Sequence, residues 1–184
     1  LYEGLYLQYS DFRHNWPIPK EKLITDIKKD QLDFYAKLIE SDNIEYLERD
    51  GNKARIKAEN VWGFCQNNII YINYKKNFYR IPVFGAISYF MGPVDVNVYS
   101  PGYNVFLNTP VSQPSTTKEM REFIMDFYTG QLYDFTVEKV EELLKKDEEI
   151  YKEFDALSRK KKKEQASRFI RKYNEKHPVY FPKL

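Results

Sequence analysis

The sequence predicts an α+β chain in which an aromatic-rich antiparallel sheet, a meander able to fold over as a sandwich or partly open barrel, is followed by C-terminal helices. Three observations carry this. Short runs of two-residue alternation, divided by turn residues, fill the chain up to residue 135. Aromatic residues reach 17%, with 16 Tyr and 13 Phe, and flat rings suit a pleated, half-buried surface. From Thr136 onward the apolar residues recur at helical spacing instead. A chain of 184 residues can bury one sufficient core, so 1–184 reads as a single domain, sheet-rich over 1–135 and helical over 136–178.

Taken in order, Gly4 to Leu7 forms a short strand, Ser10 caps a single helical turn, and Pro17 and Pro19 end it. Lys20 to Lys29 reads as an amphipathic turn or two with Leu23, Ile24 and Ile27 on one face. Strands are expected at Asp33 to Glu40, Ile44 to Arg49, Lys53 to Ala58, Val61 to Gln66, Ile69 to Tyr74 and Phe78 to Phe84. Asp50-Gly51 is the strongest hairpin signal, because both residues tolerate the positive φ of a tight turn. Ala86 to Met91 and Val94 to Tyr99 continue the sheet on either side of Gly92-Pro93. Val96 to Thr117 carries no charged residue, and its prolines predict that much of it is loop. Arg121 to Tyr128 and Gln131 to Phe135 then flank a second hairpin turn at Thr129-Gly130. Three helices follow, the first capped by Thr136, the second by Asp147, the third burying Ala166, Phe169, Ile170 and Tyr173 before His177-Pro178 stops it.

Composition excludes more than it selects. Formal net charge is +2, too small by itself to imply nucleic acid or an anionic membrane, and no apolar run approaches the roughly 18 residues of a membrane span. The basic excess belongs to the helices, where residues 136–184 hold 14 Lys or Arg against 10 Asp or Glu. Cys65 is the single cysteine, so neither an intrachain disulfide nor a thiolate metal cage can form. No spacing of metal ligands and no glycine-rich phosphate loop is present, so no cofactor is expected. The chain begins at Leu1 rather than Met, which points to a leader or a trimmed segment upstream.

Several phrases carry a resemblance: Gly4-Leu5-Tyr6-Leu7 with Asp11-Phe12, Val61-Trp62-Gly63-Phe64-Cys65 leading into Ile70-Tyr71-Ile72, and Phe169 through Pro178. Together they resemble exported proteins of bacteroidete-type bacteria, a group to which no activity is attached. The resemblance implies a periplasmic or cell-surface location, an oxidising compartment in which a free thiol survives best when buried.

Candidate chemistry is sparse. His14 and His177 titrate in the useful range but sit in no motif, and Cys65 follows Trp62-Gly63-Phe64 on a core strand, where a small buried hydrophobe is expected rather than a nucleophile. Glu45, Glu48, Asp95 and Asp126 are nominal carboxylates whose separation sequence cannot supply. Arg159 to Lys163, continued by Arg168, Arg171 and Lys172, could track phosphates, but a solvated helix face beside the acidic stretch Asp147 to Asp155 explains it better. Tyr71, Tyr74, Tyr79, Tyr89 and Tyr99 are either sheet packing or a stacking platform.

The reading that remains is a non-enzymatic binding or structural module that contacts a protein or glycan partner through the neutral segment. Tyr99, Tyr103, Asn104, Phe106 and Asn108 are its candidate contact residues. The rivals are a hydrolase of glycans or esters whose site converges only in three dimensions, and nucleic-acid binding by the last helix. Burial of Cys65 is directly testable: a thiol reagent should label the folded chain slowly and the denatured chain at once, and rapid native labelling would refute the core-strand assignment.

Overall fold

Side-chain alternation decides the architecture. The computed structural model describes residues 1–104, 106 and 109–183, and among these ten strands and five helices form four layers with three hydrophobic cores between them. The first layer holds the small sheet β2-β3-β4 (Leu23–Ile24, Asn43–Leu47, Lys53–Lys57) with helix α2 (Phe34–Leu38). The second is the sheet β1-β5-β6-β7 (Gly4–Tyr6, Gly63–Gln66, Ile69–Tyr74, Asn77–Arg80). The third is β10-β9-β8 (Leu132–Asp134, Thr109–Asp126, Ile87–Asn104), and the fourth comprises α3 (Val137–Leu144), α4 (Glu148–Asp155) and α5 (Arg159–Lys176). Among the described residues every strand pairing is antiparallel and no sheet closes into a barrel.

Each middle layer is buried on both faces. In the second sheet Leu5 and Phe64 point into the core shared with α2, Leu38 and Ile44, while their neighbours Tyr6 and Cys65 point into the core shared with Phe90 and Phe123. In the third sheet Phe90, Val94, Phe123 and Met125 face that same middle core, and Ile87 and Ile124 face the helices. The middle core is where the aromatic content goes: Phe12 stacks on Trp62 at 4.3 Å between ring centres, and Phe84, Phe127 and Phe181 meet it edge-on. Cys65 lies fully buried there, and burial pushes its thiol up to about 11.

The turns follow their residues. Gly51 and Gly130 adopt positive φ at the two predicted hairpins, and Asn67-Asn68 supplies a two-residue turn with both φ values positive. Lys75-Lys76 does the same between β6 and β7, an uncommon use of lysine, with Lys76 Nζ 2.7 Å from Glu59.

Four local expectations are corrected. Asp33 to Glu40 is not a strand: Phe34, Tyr35 and Leu38 are buried together, a spacing that only a helix aligns, and Lys37 reaches back 3.0 Å to Asp33 one turn earlier. Lys20 to Lys29 holds a single 3₁₀ turn, after which Leu23 and Ile24 pair with Tyr46 and Glu45 as an edge strand. The first helix, α1 (Tyr9–Arg13), is capped two residues earlier than Ser10, at Gln8, whose backbone amide donates to Asp11 Oδ2 at 2.9 Å. Within Val96 to Thr117, the residues up to Asn104 and from Thr109 onward are strand and not loop, and Gly92-Pro93 is no interruption: β8 and β9 pair without a bulge from Ile87↔Asp126 to Asn104↔Thr109.

The helices form as their caps predict. Thr136 Oγ1 accepts from the Lys139 amide at 3.1 Å and Asp147 Oδ1 from the Ile150 amide at 3.1 Å. Asp147 also joins α4 to the end of α5, receiving Lys176 Nζ at 2.9 Å and His177 Nε2 at 2.7 Å on Oδ2. The Lys176 hydrogen bond, the Ile150 amide and His177 together hold the Asp147 carboxyl well below its ordinary value. A carboxyl depressed in the folded state contributes stability that is present above its unfolded pKa, near 3.9, and lost as pH falls toward the folded one. Melting temperature should therefore fall between pH 5 and pH 2.5 more steeply in the native chain than in Asp147→Asn; equal slopes would remove Asp147 from the acid response.

Candidate interaction surface

The β8–β9 ribbon outruns the body that holds it. Its root is packed on both faces as far as Phe90 and Phe123, the helix-side face opens from Met91 and Glu122, and past Val96 and Thr117 neither the second sheet nor the helices accompany it; the described side chains from 97 to 101 and 114 to 120 are exposed. Eight residue steps separate Val96↔Thr117 from Asn104↔Thr109, so the free arm is about 27 Å long at ~3.4 Å per residue.

Four prolines in this ribbon break no ladder bond. Antiparallel pairs alternate between those that bond each other and those whose N–H and C=O point outward. The Tyr89 amide donates outward to Val83 O at 2.9 Å, and Glu122 O accepts outward from the Phe135 amide at 2.9 Å; Glu122 is paired with Met91. Pairs with odd-numbered β8 residues are therefore the outward ones. Pro93, Pro101, Pro110 (opposite Tyr103) and Pro114 (opposite Tyr99) all belong to that class. Each deletes a donor from the arm's outer edges and leaves the internal ladder whole, which blunts both edges against pairing with another strand. The same pairs share one face of the arm, and that face carries Met91 at 48%, Met120 at 62% and Tyr99 at 67% exposed, with Pro93 beside Met120, Pro114 and Pro101 beside Tyr99, and the rungs Asp95↔Lys118 and Asn97↔Thr116 between the two groups; Val98 is exposed on the opposite face.

At the root of this face the ribbon meets the helices in a cleft of about 770 Å³. Tyr89 and Phe135 form its floor, their ring centres 5.3 Å apart and nearly perpendicular. The first turn of α3, Thr136 to Glu138, makes one wall; Arg159, Lys160, Lys163 and Ser167 of α5 make the other. Tyr89 Oη donates to Glu122 Oε1 at 2.6 Å, and burial with the adjacent carboxylate pushes the Tyr89 hydroxyl up to about 12, so it stays a donor.

The sequence-derived candidates separate cleanly. Tyr99 lies on the apolar face; Tyr103 and Asn104 sit in the last rungs of the ladder; Phe106 is fully exposed in the connecting turn; Asn108 lies outside the described residues, with Val105 and Leu107. The five tyrosines do not form one platform: Tyr71 stacks on Phe64, Tyr74 meets Phe123, Tyr79 is buried, and only Tyr89 and Tyr99 reach the arm face. Of the basic run, Lys162 turns inward to Glu141 and Asp155 at 3.0 and 2.9 Å instead of staying solvated. His14 Nδ1 lies 2.7 Å from Ser10 O and stacks on Trp16, and His177 is held by Asp147, so the ring-nitrogen contacts of neither involve Cys65. Glu45 pairs with Arg55, Asp126 is buried against Lys146, and Asp95 faces Lys118 across the arm, each on a different part of the fold. Missed in the sequence were Met91, Met120 and the cleft; the even spacing of the prolines was the available signal.

Among the described residues no group of three or more His, Cys, Asp or Glu is placed to hold a metal ion, and no helix is long and apolar enough to cross a membrane. Comparison with protein-family models, with curated proteins and with solved structures gave no match in any of the three.

The arm's direction is set where β8 passes the second sheet. Tyr79 Oη donates to Pro93 O at 2.7 Å, and its buried ring fills the space a side chain at Gly92 would need. Gly92→Ala should therefore lower stability by about 1–3 kcal/mol in a urea titration, the usual penalty of overpacking. Asp95→Ala, on the exposed arm, should leave the midpoint unchanged; a silent Gly92→Ala would mean the Tyr79 contact does not position the root.

Proposed function

We propose that this chain is a non-enzymatic binding module of the cell envelope whose contact element is the β8–β9 arm and whose partner is a protein. The observation that carries this is the arm itself. A two-stranded ribbon is marginal in water unless something covers it, yet this one leaves the body with an uncharged shaft and a Met-Pro-Tyr face open to solvent. Pro-blunted edges favour contact through side-chain faces over strand addition, and methionine and tyrosine supply adaptable area with little ordering loss. A protein partner fits better than a glycan, because sugar stacking needs a platform of aromatic planes, and this face offers a single described exposed aromatic, Tyr99, with Met91 and Met120 supplying the rest of its exposed large apolar area.

The hydrolase reading draws no support from the geometry around Cys65, His14 and His177, whose contacts are accounted for by packing, helix ends and caps. Export is proposed on the phrases that resemble those of exported bacteroidete-type proteins, and the buried thiol is compatible with an oxidising compartment.

A photo-crosslinking amino acid at position 99, introduced in the source cell, should yield a protein adduct that is absent when the probe replaces exposed Lys28. Replacing 97–116 by Asn-Gly joins Val96 to Thr117, a hydrogen-bonded pair suited to a two-residue turn, so the body should keep its melting temperature while partner capture is lost. No adduct at position 99, or equal adducts at 28 and 99, would overturn the reading.

A further inference from the structure

Helix α5 begins with five consecutive cations, Arg159 to Lys163, and its first turn contains no acidic residue. The N-terminus of a helix carries partial positive charge, so this is the end at which cations are least favoured. Two of the five are neutralised: Arg159 Nη2 lies 3.7 Å from Glu138, and Lys162 bonds Glu141 and Asp155. Lys160, Lys161 and Lys163 have no carboxylate partner among the described residues.

Lys160, Lys163 and Ser167, three and then four residues apart on one flank of α5, line the cleft opposite Tyr89 and Phe135. Of the cleft's two carboxylates, Glu138 is paired with Arg159 and Glu122 accepts from the Tyr89 hydroxyl but keeps its charge, so with Lys160 and Lys163 unpaired among the described residues the cleft is left with a net positive charge concentrated on the α5 wall. From Tyr89 and Glu122 the same face runs on to Met91, Pro93 and Met120. A ligand that satisfies this surface is anionic at the cleft, offers an apolar group to an aromatic floor, and continues as a neutral or apolar chain along the arm.

We infer that the cleft receives an acidic, extended segment of a partner polypeptide, anchored by an aliphatic or aromatic side chain between Tyr89 and Phe135 with its carboxylates on Lys160 and Lys163. This rests on the arm being a protein-binding element and names the chemistry of what it binds. A nucleic acid fits poorly, because its charge would continue over an arm face whose one lysine, Lys118, lies opposite Asp95, and two free cations give a polyanion little affinity.

The test uses the full chain and a random dodecapeptide display library. Selected peptides should be rich in Asp and Glu beside an aromatic or aliphatic residue. A fluorescein-labelled copy of the most enriched one should bind the double variant Lys160→Glu/Lys163→Glu at least about fivefold more weakly, at least 1 kcal/mol for the loss of two charged contacts. The variant should melt no lower than the native chain, since Lys160→Glu places a carboxylate in the first turn of α5 and Lys163→Glu changes an exposed side chain that holds no ion pair among the described residues, so lost binding cannot be put down to unfolding. Peptides without acidic excess, a smaller change in affinity, or displacement of the peptide by a single-stranded oligonucleotide at equal concentration would each overturn the inference. If the adduct at position 99 forms while charge reversal leaves the peptide bound, the arm reading stands and the cleft assignment falls; if no peptide is selected and no adduct forms, both fall.

Discussion

The structure depends on one uninterrupted ladder, β8 against β9. Its root is the wall shared by two cores, with Phe90, Val94, Phe123 and Met125 on one side and Ile87 and Ile124 on the other. A slip of one residue would exchange those two sets and put each into a cavity shaped for the other, so burial on both faces pins the register. The Asn174 side chain reinforces the pin: it accepts from the Ile87 amide and donates to the Ile87 carbonyl, 2.8 Å each, replacing a strand neighbour at the point where α5 crosses β8. The arm inherits its direction from that clamped base.

Two features run against what stability alone would select. The ribbon continues beyond any covering layer, and the longest helix opens on a cluster of cations at its positive end. Both lie on the same side of the third layer, and both would be relieved by the same kind of partner. Departures from local rules that coincide in space are where function is expected to sit, because the remainder of the chain, with capped helices, alternating strands and a well-filled aromatic core, follows those rules closely.

Most of the fold was legible in the residues. Thr136 and Asp147 announced their helices, Asp50-Gly51 and Thr129-Gly130 their hairpins, and Phe169, Ile170 and Tyr173 their buried stripe, because each signal is local and rests on one conformational preference. Asp33 to Glu40 misled because aromatic residues favour strands on average, whereas here the burial of Phe34 and Tyr35 against Leu38 overrides propensity. The arm was singled out as a candidate contact segment by its missing charge but mistaken for loop, since proline was read as a breaker without asking which side of a strand it faces. The cleft was not legible at all: Tyr89, Phe135, Glu138 and Lys163 are brought together only by the packing of α5 over β8.

The parity of the ladder also governs how this arm can vary in length. A pair of residues added between Pro93 and Pro101, one on each strand, would leave the root untouched but turn every rung beyond it to the opposite face. Pro101, Pro110 and Pro114 would then point inward, each deleting a bond that holds the strands together. Two residues on each strand restore the original phase. Insertions and deletions along the shaft are thus quantised in fours, while the segment beyond the Tyr103↔Pro110 rung is free to change by any number.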